Sequence, residues 1–162
     1  MIVDDEVLAV LTAIVTVACV LAAALTVPRG VEPFLALGLL DEKGKIGDYP
    51  TRVIAGEPVK LHVFVMNHLG KAVMLKVVGK LGSRGNIPTN STPLNSTPIW
   101  SYELILEHNQ NATIPVQVTL QKEGLNVALV FELWTLNATD GTWVYTGRWN
   151  HLYLNVTKAG AP

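Results

Sequence analysis

Five asparagines stand in the acceptor pattern for N-linked sugar: Asn90-Ser91-Thr92, Asn95-Ser96-Thr97, Asn111-Ala112-Thr113, Asn137-Ala138-Thr139 and Asn155-Val156-Thr157. An asparagine amide with Ser or Thr two residues on is the group a glycan is joined to, so the pattern marks the surface of an outward-facing domain. Chance would supply roughly one such site in a chain of this kind. Asn90 and Asn95 lie in a stretch rich in Gly, Pro, Ser, Thr and Asn, Asn111 precedes a strand pattern, Asn137 falls in a turn, and Asn155 sits on the outward parity of the last strand. These placements suit a glycosylated exterior.

Other chemistry is sparse. His62, His68, His108 and His151 invite a metal reading. Yet His62 and His68, six residues apart on one extended run, stand about 20 Å from each other, while ligands of one ion lie about 2 Å from it. We read them as surface or turn histidines and expect no metal and no cofactor. The chain shows no phosphate-cradling glycine loop, no nucleophile elbow and no carboxylate pair on one element, so no catalysis and no small-molecule substrate are expected. Trp143, Tyr145, Trp149 and Tyr153 make an aromatic-rich end. They are a candidate contact surface for carbohydrate or a protein partner, weighed against plain packing in a domain with few other large side chains.

The element that places these residues is Val7 to Val27, VLAVLTAIVTVACVLAAALTV, with no charge, glycine or proline. As a helix it spans about 31 Å, the thickness of a bilayer's hydrocarbon core. Ala22-Ala23-Ala24 would suit a signal-peptide cleavage site, but the MIVDDE tip before the run has no Lys or Arg and the run is long for a signal core. A pilin-type helix would follow a basic leader, which the tip does not resemble. We therefore read a permanent single-pass anchor: 1–6 as a cytoplasmic tip, 7–27 as the transmembrane helix, 28–33 as a linker, 34–157 as an ectodomain and 158–162 as a tail. Small residues at Ala9/Ala13 and Ala18/Ala22 recur at helix-contact spacing. The only cysteine, Cys19, lies inside the run, so the domain after it has no disulfide.

Two signals for orientation disagree. Arg29, Lys43 and Lys45 follow the helix and no base precedes it, which by the positive-inside rule would put the domain in the cytoplasm. That rule is weak for long translocated domains, and the five sequons point outward. We adopt an N-terminus inside and a domain outside the cell membrane. The chain after the helix carries 12 bases against 10 acids with no basic cluster, so no nucleic-acid partner is expected.

From Phe34 the apolar pattern changes to period two, the mark of strands. FLALGLL (34 to 40) is a first strand turned by Asp41 to Lys45, and VKLHVFVM (59 to 66) puts Val59, Leu61, Val63 and Val65 on one face, with a turn at Asn67 to Gly70. Val73, Leu75 and Val77 continue the alternation, residues 82 to 98 form a long exposed loop, and Trp100 to Leu106 and Ile114 to Leu120 give two more strands. LNVALVFELWTL (125 to 136) is apolar on both faces, as a covered central strand would be. A hairpin at Asn137 to Gly141, the segment TWVYTG and HLYLNV (151 to 156) complete the chain. Seven or eight short strands with frequent turns and no further helix pattern predict an all-β, immunoglobulin-like sandwich after one N-terminal helix. Val63, Val116 and Leu129 are predicted core residues.

Several of these segments carry a resemblance: Phe34 to Gly38, Asp48-Tyr49-Pro50, Val53, Gly56-Glu57, Val65-Met66-Asn67-His68, FELW (131 to 134) and HLYLNV (151 to 156). In this order, across about 34 to 157, the chain resembles the C-terminal domain of a mainly archaeal family of predicted membrane proteins, a domain of unknown function. The resemblance implies membrane helices followed by an immunoglobulin-like sandwich outside the cell, and supplies no catalytic residues. This chain has one membrane helix where the relatives often have several. The expected role is that of a membrane-anchored, glycosylated cell-surface protein, structural or adhesive, associating with itself or with other envelope or membrane proteins. The alternatives are a pilus-like filament subunit with the helix in the fibre core, and an accessory subunit of a larger membrane complex.

Overall fold

The computed structural model describes residues 4–27, 30 and 32–160. Part of the tip, Pro28, Arg29 and Val31 of the linker and the last two residues of the tail lie outside the described residues, and with them the Arg29 charge used above. The chain divides into two compact units, Met1–Glu32 and Pro33–Pro162.

The first unit is α1, Asp5–Thr26, two residues longer at its start than the uncharged run. Asp5 and Glu6 occupy the first turn, where the exposed N–H groups favour negative charge. It is long and apolar enough to cross a membrane, and none of its residues is buried. The Thr12 and Thr16 hydroxyls donate to the carbonyls of Leu8 (2.8 Å) and Thr12 (2.7 Å), and that of Thr26 to Ala23 (2.8 Å). The threonine hydroxyls of the helix are thus satisfied within it.

The second unit is a β-sandwich of eight strands: β1 (Phe34–Leu40), β2 (Arg52–Ile54), β3 (Pro58–His68), β4 (Val73–Ser83), β5 (Pro98–Leu106), β6 (Asn111–Thr119), β7 (Gly124–Leu136) and β8 (Trp143–Thr157). One sheet has the order β1-β3-β6 and the other β2-β8-β7-β4-β5. All pairs are antiparallel except β2 with β8. The inward parity read from the sequence holds. Val63, Val65, Val116 and Ile114 of the smaller sheet meet Leu75, Val77, Leu129, Phe131 and Leu154 of the larger, all buried. Gly79 lets Trp100 and Phe131 meet edge to face at 6.0 Å, because a Cβ there would press on both rings.

Three local expectations change. The turn expected at Asn67 to Gly70 begins later, because β3 runs on through His68. Asn67 is buried instead, its Nδ2 donating to the carbonyls of Lys71 (2.8 Å) and Leu106 (2.9 Å), which ties two turns together. TWVYTG and HLYLNV belong to one long strand, β8, interrupted by a bulge in its pairing with β7. The 82 to 98 segment is not wholly exposed, since β4 continues to Ser83 and Leu94 is buried.

Candidate functional site

Trp143, Tyr145, Trp149 and Tyr153 share the outer face of the larger sheet. Their register partners on β7 are Leu136, Trp134, Glu132 and Ala128. The bulge leaves two residues, Thr146 and Gly147, without β7 partners, so parity is kept across it and one aromatic stripe results. Its rings are in contact along the strand: Trp149 with His151 at 5.3 Å, and His151 with Tyr153 at 4.8 Å. Tyr145 lies 5.4 Å from Trp134 across the strands. Trp143 carries the Lys76 Nζ at 4.0 Å from its ring centre, and Lys76 also pairs with Glu103 at 2.7 Å. None of the four is fully exposed.

A strap, residues 84–97, covers part of this face. Ile87 and Leu94 pack with Ala128, Val130 and Tyr153, which accounts for the two-sided apolar pattern of β7. Under the strap lies a buried ion pair, Lys80 with Glu132 at 2.9 Å. Lys80 Nζ also donates to the Leu94 carbonyl (2.8 Å), the Leu94 N–H donates to Glu132 Oε1 (2.5 Å), and Trp134 Nε1 donates to Glu132 Oε2 (3.1 Å). Buried charges are tolerated where opposite charge and hydrogen bonds replace water, as these do. The strap is pinned again where Tyr145 Oη donates to the Thr89 carbonyl (2.8 Å) and Ser96 Oγ to that of Leu81 (2.9 Å). Gly147, at φ 73°, lies against the Asn90 carbonyl in a place no side chain could occupy. Burial, then the charge of Glu132, pushes the Tyr145 hydroxyl up to about 12.

Sequence reasoning missed Lys80, Glu132 and Leu94 as a group. A faint signal was there: each charge sits within an apolar strand, VVGKLG and LVFELW, where a solvated lysine or glutamate is unusual.

The sequons separate by environment. Asn90 and Asn95 are exposed on the strap, and Asn111 is exposed at the start of β6. Asn137 is half-buried at the β7–β8 hairpin, its Oδ1 accepting from the Thr139 N–H at 3.0 Å, and it lines a cleft of about 550 Å³ with Leu69, Met74, Leu136 and Val144. Asn155 keeps its outward parity but is half-buried between β2 and β7, and its Oδ1 accepts from the Asn126 N–H at 2.9 Å.

The histidines do not converge as a set. His62 Nδ1 lies 3.0 Å from the Asp41 carbonyl, and His151 belongs to the aromatic stripe. His68 and His108 stack at 4.8 Å, and His108 Nδ1 accepts from the Gly70 N–H. Among the described residues no three His, Cys, Asp or Glu side chains stand close enough to hold a metal ion.

Comparison with known proteins gives one family and several distant structures. The family described as "Domain of unknown function (DUF1616)" matches residues 28–157. No curated protein matches. The CARDB domain of the PF1109 protein from Pyrococcus furiosus, solved in complex with di-metal ions, is similar at 14% identity and a TM-score of 0.48, over 77% of this chain and 89% of that one. A beta-glucosidase from Listeria innocua is similar at 10% identity and a TM-score of 0.45, over 76% of this chain but only 16% of the enzyme.

Proposed function

We propose that this chain, which belongs to the DUF1616 family of domains of unknown function, is a single-pass, glycosylated cell-surface protein. Its sandwich stands outside the membrane, and its role is structural or adhesive, in association with itself or with other envelope or membrane proteins. No catalysis and no cofactor form part of this reading.

The observation that carries it is the contrast between the two units. An apolar helix of 22 residues buries none of its side chains, while the sandwich has a complete apolar core of its own. An apolar surface of that size in water would be costly, and lipid removes the cost. The internal hydroxyl bonds of Thr12, Thr16 and Thr26 suit a helix surrounded by hydrocarbon. Exposure of Asn90, Asn95 and Asn111 supports an outward sandwich, because a transferase must reach the amide.

The test is topology with fractionation. A reporter active only outside the cytoplasm, fused after Pro162, is expected to be active. The mature protein is expected to stay in the washed membrane fraction with its N-terminal helix attached. Activity of a cytoplasm-only reporter overturns the orientation, and loss of the helix from the mature protein overturns the anchor. Sheared extracellular fibres containing the chain would establish the filament reading instead, and co-purification with a polytopic partner the accessory one.

A further inference from the structure

Each sheet has two lateral strands, and three of the four are protected against pairing with another chain. The outward carbonyls of Leu37 and Leu39 on β1 accept from Asn150 Nδ2 (2.7 Å) and Tyr49 Oη (2.6 Å). β2 is only three residues long. On β3, the Asn67 N–H and carbonyl bond Gln110 and Asn109, so odd-numbered residues of β3 face β6 and even-numbered residues of β6 face back. Pro115 therefore turns its donor-less nitrogen to the open side of β6, in the middle of the strand.

β5 carries a bulge at Ile99, near its start, and no such device from Trp100 to Leu106. Its interior, Ile99 to Leu106, holds neither proline nor lysine. The Met74 carbonyl is reached from β7 by Thr135 Oγ1, so even-numbered residues of β4 face β7 and odd-numbered ones face β5. Val77 and Leu75 thus share bonds with Tyr102 and Leu104, and Ser101, Glu103 and Ile105 direct their N–H and C=O groups to the open side. The same strand exposes Ile99 by 43%, Tyr102 by 47% and Ile105 by 67%.

We propose that β5 pairs antiparallel with β5 of a second copy of this chain, about a two-fold axis at Tyr102, joining the two larger sheets into one. This register is the one that satisfies backbone and side chains together. It places the outward-bonding Ser101 opposite Glu103 of the second copy, in both directions, so their backbone groups bond each other. It brings Tyr102 against Tyr102 between Trp100 and Leu104 pairs on one face, which are favourable cross-strand contacts, and sets the bulge residue Ile99 beside Ile105 twice on the other. No carboxylate meets a carboxylate, and each Glu103 keeps its Lys76 partner. A shift of the axis to Glu103 sets the two glutamates opposite each other, and a shift to Ser101 separates the isoleucines. The pairing needs neither a membrane nor sugar, so it stands apart from the surface reading.

The test uses the full chain in detergent. With Cys19→Ser as background, Tyr102→Cys is expected to form a disulfide-linked dimer on mild oxidation, since directly opposed residues of a pair that shares no backbone bonds bring their Cα atoms to about 4.5 Å. Thr113→Cys on β6 is expected to form none. Ser101→Pro removes only an outward N–H, and Ile105→Lys changes an exposed side chain. Each is expected to abolish the dimer seen by light scattering while leaving the circular dichroism of the sandwich intact. A monomeric parent chain, a dimer that survives both substitutions, or equal cross-linking from β5 and β6 overturns the proposal.

Discussion

The amide of a sequon asparagine carries sugar only if an enzyme can reach it, and the five sites differ in that respect. Asn90, Asn95 and Asn111 are exposed, whereas Asn155 sits in a strand paired on both sides with its amide oxygen engaged by Asn126. Glycopeptide mass spectrometry on protein from its native host is expected to find sugar on the first three and bare asparagine at 155. Sugar at 155 with none on the strap would reverse the ranking. The Lys80–Glu132 pair sets a second prediction at this scale. Lys80→Met leaves a buried carboxylate without its counter-charge, which costs about 3–5 kcal/mol in a denaturant melt. Replacing Glu132 by Leu in the same chain is expected to recover only part of that loss, because it removes the unpaired charge but leaves the Leu94 N–H and Trp134 Nε1 without their acceptor. Sequence reasoning could place Asn155 on its face by counting in twos. It could not find the Lys80–Glu132–Leu94 group, because the contacts that satisfy it come from residues 14 and 52 positions apart in the chain.

Strands with one wet face were legible, and the strand roofed by irregular chain was not. β3 and β6 alternate because one side meets the other sheet and the other side meets water. β7 loses that contrast where the strap lies over it, so the sequence showed a covered strand without showing its cover. The strap itself has no period, and only its anchoring points, Leu94, Ser96 and Thr89, reveal it as part of the packing. Its contact with β8 gives a pH prediction. The Tyr145 hydroxyl, raised from 10.0 to about 12 by burial and then by Glu132, holds its proton more tightly in the folded than in the unfolded chain. Its contribution to stability is therefore complete below about pH 10 and is lost as pH rises toward 12. Denaturant midpoints measured from about pH 9 to 11 are expected to fall more steeply in the parent chain than in Tyr145→Phe. Parallel curves would show that Tyr145 contributes nothing to the alkaline loss.

At the scale of the molecule, an apolar helix and a sandwich with its own core share one chain as two compact units, Met1–Glu32 and Pro33–Pro162. What composition could not say is where the last strand goes. β8 is the final strand in sequence, yet it lies inside the larger sheet, between β2 and β7. Its parallel pairing with β2 joins residues 52 to 54 with 155 to 157, nearly the two ends of the sandwich. A chain stopped after Thr142 is expected to yield no protease-resistant sandwich, since β7 and β2 would both lose a neighbour. The placement of β8 also sets an order of events during synthesis. Of the first seven strands only β4 and β5 can pair as sequence neighbours while they emerge, and the larger sheet cannot close until β8 is free of the ribosome. A sandwich that stays loose until its eighth strand is made can be threaded through a narrow translocation channel without first being unfolded.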